Sequence, residues 1–412
     1  MCKYLYSAWR NLSIYTVLIG MGLASGLPLS ALAADDSQSE RLDALEKQIS
    51  QVSANASARR PDEGVPLHGF YDVGFATNNN GKYGSKGFNV GSFDLYLTPQ
   101  FGDRVKSLVE LIFEVEADGS LATDMERVQL GYIFGDEATL WAGRFHSPFG
   151  YWNTAFHHGA QIQTSIRRPK FIDFEDKGGI MPSHMTGAWL IGKIPAGAGN
   201  VNYDLYGGNG PQLIQEAPDL AGINSPAAGS DDNHQAFTGF NLGYNFTGAA
   251  DGLRLGTHGF KGDVNDSLGN VTDVGMNGLY GTYITDDWEI LTEYYHFSNK
   301  VKKVNPLTGT AIVGSTNPSN AWFAQAAKSF GQWIPFVRLE KASLNQDDPY
   351  FFNQISGASY SRQAVGLRYD LNGTSAIKLE LDRTKFNGTN ADTTVIPGDK
   401  VSEAIAQWSV RF

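Results

Sequence analysis

Alternation of apolar and polar residues with a period of two, sustained from Leu67 to Phe412, constrains this chain more than any other feature. Val105, Val109, Leu111, Phe113 and Val115 share one face of a strand, and Lys106, Glu110, Glu114 and Glu116 share the other. The same division sets Val365, Leu367, Tyr369 and Leu371 against Arg362, Arg368 and Asp370, and Ile377, Leu379 and Leu381 against Lys378, Glu380 and Asp382. No uncharged apolar run beyond residue 33 approaches the ~20 residues that a membrane-spanning helix requires. Any passage through a bilayer therefore has to be made by strands.

The connections decide between a soluble sandwich and a membrane barrel. Short turns are expected at 102–104, 135–137, 195–200, 247–251, 285–287, 331–332 and 372–375. They alternate with longer polar connections near 76–88, 117–123, 146–185, 207–235, 262–273, 298–318, 343–360 and 387–400. Seven turns and eight loops make fifteen connections, hence sixteen strands. An even-stranded antiparallel barrel with short turns at one end is what lipid demands, because hydrocarbon tolerates no open sheet edge. Phe101, Tyr132, Phe134, Tyr244, Phe246, Trp288, Phe330, Trp333 and Tyr369 flank the short turns, as rings at one bilayer interface would. The expected fold is all-β, a sixteen-stranded antiparallel transmembrane barrel over 67–412. Its last strand carries Ala406, Trp408, Val410 and Phe412 on one face, with Phe412 as an assembly signal.

Ahead of the barrel, Lys3 and Arg10 precede an uncharged stretch that ends in Ala31-Leu32-Ala33, which predicts an export signal over 1–33 cleaved after Ala33. Leu42, Leu45, Ile49 and Val52 form a two-heptad seam, so 34–60 is expected to be a short periplasmic coiled coil or surface helix, joined by a linker over 61–66. The net charge of −11 excludes nucleic acid as an expected partner. Cys2, the single cysteine, precedes the apolar core of the signal, which removes disulfides, a cysteine nucleophile and cysteine metal clusters from the exported chain.

With charges turned inward, sixteen strands enclose water, and the expected function is a pore for passive diffusion of small polar solutes or ions. The longest connection, HSPFGYWNTAFHHGAQIQTSIRRPKFIDFEDKGGIMPSH, is too aromatic for a solvated loop tip and is expected to fold into the barrel as a constriction. Its Arg167, Arg168 and Lys170, followed by Asp173, Glu175 and Asp176, are the candidate selectivity residues together with Arg144. Lys106, Glu110, Glu114, Glu116, Arg127, Arg338, Arg362 and Arg368 are the candidate pore lining.

The segment Trp141-Ala142-Gly143-Arg144-Phe145-His146-Ser147-Pro148-Phe149-Gly150 resembles the Gly-basic-Phe-x-x-Pro-Phe stretch of the phosphate-selective (O/P-type) porins. That resemblance implies a trimer with an anion preference, embedded in outer-membrane lipid and lipopolysaccharide. His146, His157, His158 and His184, in or beside the long loop, raise a transition-metal site as an alternative to simple packing. No nucleophile elbow or ordered catalytic set is visible, so neither an enzyme nor a cofactor is expected. A structural barrel that sheaths a partner protein and a solute- or metal-specific channel are the remaining alternatives.

Overall fold

A computed structural model describes residues 67–80, 86–115, 118–156, 160–175, 179–214, 222–224, 235–305, 311–391 and 395–412. The expected signal, coiled coil and linker lie outside these residues, as do Glu116, His157, His158 and Asp176. Sixteen strands follow in chain order. The first eight are β1 (Leu67–Asn78), β2 (Gly87–Leu97), β3 (Val105–Val115), β4 (Leu121–Gly135), β5 (Ala138–His146), β6 (His184–Pro195), β7 (Gly199–Asn209) and β8 (Ala236–Phe246). The second eight are β9 (Leu253–Asp266), β10 (Val271–Ile284), β11 (Trp288–Lys303), β12 (Thr316–Lys328), β13 (Trp333–Ser343), β14 (Tyr360–Asn372), β15 (Ser375–Phe386) and β16 (Lys400–Arg411). Each pairs antiparallel with the next, and β16 returns to β1, with Phe70 opposite Arg411 and Asn78 opposite Glu403. Gly69 and Phe412 complete the seam by exchanging N–H···O bonds of 3.1 and 3.0 Å. The closed sixteen-stranded barrel is as the alternation predicts. A two-strand hairpin, Gln212–Ile214 with Gly222–Asn224, decorates the fourth long loop.

Which way the faces turn identifies the solvent. On β15, Ile377, Leu379 and Leu381 are 41–58% exposed, whereas Lys378, Glu380 and Asp382 are at most 4% exposed. A water-soluble barrel would invert this, so the outer surface is built for hydrocarbon. At the short-turn end the rings pair at the surface: Tyr132 with Phe134 at 5.0 Å, Tyr244 with Phe246 at 4.7 Å, and Trp333 with Tyr369 at 4.4 Å. Amphipathic rings settle at that level of a bilayer.

The interior is not polar all round, and here the structure departs from a uniformly charged pore. The described residues between β5 and β6, 147–156, 160–175 and 179–183, enter the barrel with a short helix, α1 (Trp152–Ala155), and a 3₁₀ turn, Lys170–Ile172. Phe149, Trp152, Phe156, Phe171, Ile172, Ile180 and Met181 pack into one core with Phe260, Met276, Tyr295, Phe297 and Phe323 from β9 to β12. A second helix, α2 (Pro349–Phe352), adds Tyr350 and Phe351 from the loop between β13 and β14. Each large apolar side chain buried this way contributes about 1.5–3 kcal/mol, which is why so aromatic a loop does not remain in solvent.

Candidate functional site

A loop inside a barrel must satisfy its backbone polar groups without a ladder of its own. Here the charged inner faces of β11 to β15 do so. Glu293 accepts the Trp152 N–H at 2.6 Å, and Glu289 accepts the Thr164 hydroxyl at 3.0 Å. Glu380 accepts the N–H groups of Ile166 and Arg167 at 2.7 and 3.1 Å, and Glu340 that of Lys170 at 2.8 Å. Arg338 donates to Ser165 Oγ at 2.8 Å and to the Arg167 carbonyl at 2.9 Å. Arg368 donates to the carbonyls of Gln161 and Gln163 at 2.5 and 2.8 Å, while Lys378 reaches those of Ala160 and Ser165. The wall charges also neutralise one another, through Arg338–Glu340 and Arg362–Asp382 pairs of 2.7 Å. Arg338, Arg362 and Arg368, expected as pore lining, do face inward, but beneath the loop and at most 8% exposed.

The loop's own charges divide. Arg168 is 5% exposed and donates to the Ile172 and Phe156 carbonyls and to Asn153 Oδ1 at 2.8–2.9 Å, with its guanidinium 3.8 Å above the Phe174 ring. Burial lowers its pKa to about 10, which still leaves it cationic at neutral pH. Lys170 is pushed down by burial as well and donates to Ser356 Oγ at 3.3 Å, and burial raises Asp173 against the pull of Arg168. Arg167 turns the other way. Its side chain is 39% exposed and meets Glu403 of β16 at 3.3 Å. Glu175 binds His184 at the neck of the loop through both carboxylate oxygens.

Arg144 sits apart from the loop's basic cluster, on the outward-facing register of β5. It stands opposite Val128, follows the parity of exposed Leu140 and Ala142 rather than that of buried Trp141 and Phe145, and donates to the Met125 carbonyl at 3.1 Å. It therefore does not join the basic cluster of the loop.

A cavity of about 540 Å³ opens on the other side of the loop, toward the short turns. Lys106, Arg127, Lys193 and Arg254 line it against the acids Asp136 and Asp204, with Tyr151 and Trp189 as aromatic walls. Arg127 also pairs with Glu110 across the β3–β4 ladder, and Trp189 donates to Asp204 at 3.0 Å. Glu114 stays on the lumen side of β3, opposite Ser92. Lys193 and Trp189 were legible only as alternate positions of β6. At the loop neck, Glu126, His146 and His184 come together as the group able to hold a metal ion among the described residues.

A closed sixteen-stranded barrel with an apolar exterior and its third long loop tethered inside has the architecture of the porins. Solved structures agree. The chain is similar to an anion-selective porin from Comamonas acidovorans, with a TM-score of 0.56 and 14% identity, covering 85% of this chain and 99% of that one. It is also similar to OmpF of Salmonella typhi, solved with daunomycin, with a TM-score of 0.52, 12% identity and coverage of 84% and 97%. The outer-membrane channel DcaP of Acinetobacter baumannii gives a TM-score of 0.51, 12% identity and coverage of 84% and 96%. No protein-family model and no curated protein matches the sequence.

Proposed function

We propose that the protein is a bacterial outer-membrane porin that admits small polar solutes by passive diffusion and prefers anions. The observation that carries this is the charge balance of the cavity beside the loop, where Lys106, Lys193 and Arg254 face Asp136 and Asp204 once Arg127 is set against its partner Glu110. Much of the wall charge of β11 to β15 is committed to the loop backbone or to ion pairs, and Arg127 is shared with Glu110, so Lys106, Lys193 and Arg254 are the cavity cations a passing ion meets, with Arg167, paired to Glu403, beside its path. Low-dielectric walls focus their field, and charges beyond ~8–10 Å are screened at physiological salt. The resemblance to the phosphate-selective porins and the anion selectivity named for the Comamonas porin point the same way. A barrel built to sheath a partner protein is disfavoured, because the chain's own loop occupies its interior.

A homotrimer in lipid and lipopolysaccharide is part of the same proposal. Val73, Phe75, Phe88, Val90, Ile377 and Trp408 line an apolar groove on the outer wall at the β16–β1–β2 seam, and Phe88 is 91% exposed. The Vibrio cholerae OmpT structure, to which the chain is similar at a TM-score of 0.51, is described as a trimer. Reversal potentials of the purified protein in planar bilayers under a salt gradient test the reading. Anion preference is expected; cation preference would overturn the selectivity, and absence of conductance the channel.

A further inference from the structure

We propose that Glu126, His146 and His184 form a binding site for a divalent transition-metal ion of the zinc class, and that this ion fastens the neck of the loop inside the barrel. His146 ends β5 and His184 begins β6, directly opposite one another in the ladder, with ring centroids 4.7 Å apart at 69°. Glu126 comes from β4, where the register shift opposite Glu110 and Leu111 inserts it as an extra residue. The bulge is what brings a carboxylate to the histidines. Glu126 Oε2 lies 2.5 Å from His184 Nε2, and one donor atom from each of the three residues falls within 4.8 Å of the others. All three are buried.

Glu175 supplies the supporting contact. Its Oε1 accepts the His184 backbone N–H and its Oε2 faces Nδ1, both at 2.9 Å, which turns Nε2 toward Glu126 and His146. A carboxylate behind a ligating imidazole fixes its tautomer and raises its basicity. Two imidazoles and one carboxylate suit zinc and its neighbours in the first transition row; calcium and magnesium want oxygen alone. His146 also lines the 540 Å³ cavity, so water and the ion have a route to the fourth position. Coordination would widen the His184–Glu126 approach to roughly 3.3 Å, the separation that tetrahedral ligands at about 2.05 Å impose. Without metal, a proton between the same atoms makes an ion pair. Because the ligands bracket residues 147–183, a bound ion ties both ends of the loop to β4.

Metal binding does not depend on the channel reading; the effect on the pore does. The test is isothermal titration of the full-length, chelator-treated protein in detergent with Zn²⁺, paired with the visible absorption spectrum of the Co²⁺ form. One ion per chain is expected. Affinity should fall at least about tenfold in His146→Ala and in Glu126→Gln, and about 10–100-fold in Glu175→Gln. The double variant His157→Ala/His158→Ala should keep it. The site is refuted if wild type binds no more tightly than His146→Ala, or if only the His157/His158 variant loses the ion. Should a variant fail to fold, wild type decides: a four-coordinate Co²⁺ spectrum supports the site, and an octahedral one overturns it. Protein that binds zinc but conducts nothing keeps the site and refutes the channel; protein that conducts without binding zinc does the reverse.

Discussion

Glu293, in the middle of β11, accepts the backbone N–H of Trp152 from 141 positions away, at 2.6 Å. Its other oxygen takes the Tyr295 hydroxyl at 2.7 Å, so the carboxylate is fixed before it receives the first turn of α1. This is how the barrel holds a segment that has no strand partner. Inner-wall carboxylates cap its N–H groups, and inner-wall cations take its carbonyls.

Removing the doubly used anchor should therefore free the loop and leave the barrel standing. Glu380→Ala strips the acceptor from Ile166 and Arg167 and leaves the Arg338 and Arg362 guanidinium groups, 3.5 and 3.8 Å away, short of a buried counter-charge. The expected cost is roughly 3–5 kcal/mol, concentrated in the loop. Hydrogen exchange should rise across 160–170 and channel current should become noisier. Unchanged exchange there would show that the loop is held by its apolar core alone.

The neighbours Arg167 and Arg168 should behave as different residues. Arg167→Ala removes a half-exposed cation and is expected to move the reversal potential toward cation preference, with little loss of heat stability. Arg168→Ala removes three hydrogen bonds from a buried charge and should destabilise the loop by about 3 kcal/mol or more, with a smaller change in selectivity. The opposite pattern would place the field-setting group on the wrong arginine.

On the outer wall, Leu379→Arg is expected to cost about 2–4 kcal/mol of folding free energy in phospholipid, because a half-exposed leucine there faces the hydrocarbon. Denaturant titration in vesicles of defined lipid measures it. A cost near zero would move this residue out of the bilayer.

Deletion of Phe412 should lower the amount of barrel that reaches the membrane while leaving the conductance of the assembled channels unchanged. The residue exchanges both of its ladder bonds with Gly69 and lays its ring against Phe93 at 6.1 Å and Tyr71 at 6.5 Å. Equal surface abundance with and without it would remove its role in assembly.

The fold was legible because it is periodic. Strands such as β15 alternate along their whole length, and the lengths of the connections alternate as well, so count, direction and inside face follow from local pattern. The position of the loop was legible too, since its aromatic content is unsuited to a solvated tip. Its anchors were not, because Glu380 and Ile166 are 214 positions apart and no local signal joins them. Phe260, Phe297 and Phe323 turn apolar groups inward on strands that also show apolar groups to lipid, and a strand apolar on both faces carries no polarity rhythm to read. The insertion of Glu126 at a register shift breaks parity by one residue, which hid the carboxylate beside His184 from any period-two count. Arg167 and Arg168 differ in fate through the local turn of the backbone, which an amino-acid pair cannot disclose.

The seam between β16 and β1 has a kinetic consequence. Ser402 donates to Asn79 Oδ1 across 323 positions, and the whole ladder from Phe70 to Asn78 waits on a strand made more than 300 residues later. Loop-closure entropy makes such a pairing late and slow. Until it forms, β1 and β16 are two raw edges, each a template for pairing with another chain. Insertion is thus a race between closure and aggregation, run at the one seam whose two strands lie at opposite ends of the barrel sequence.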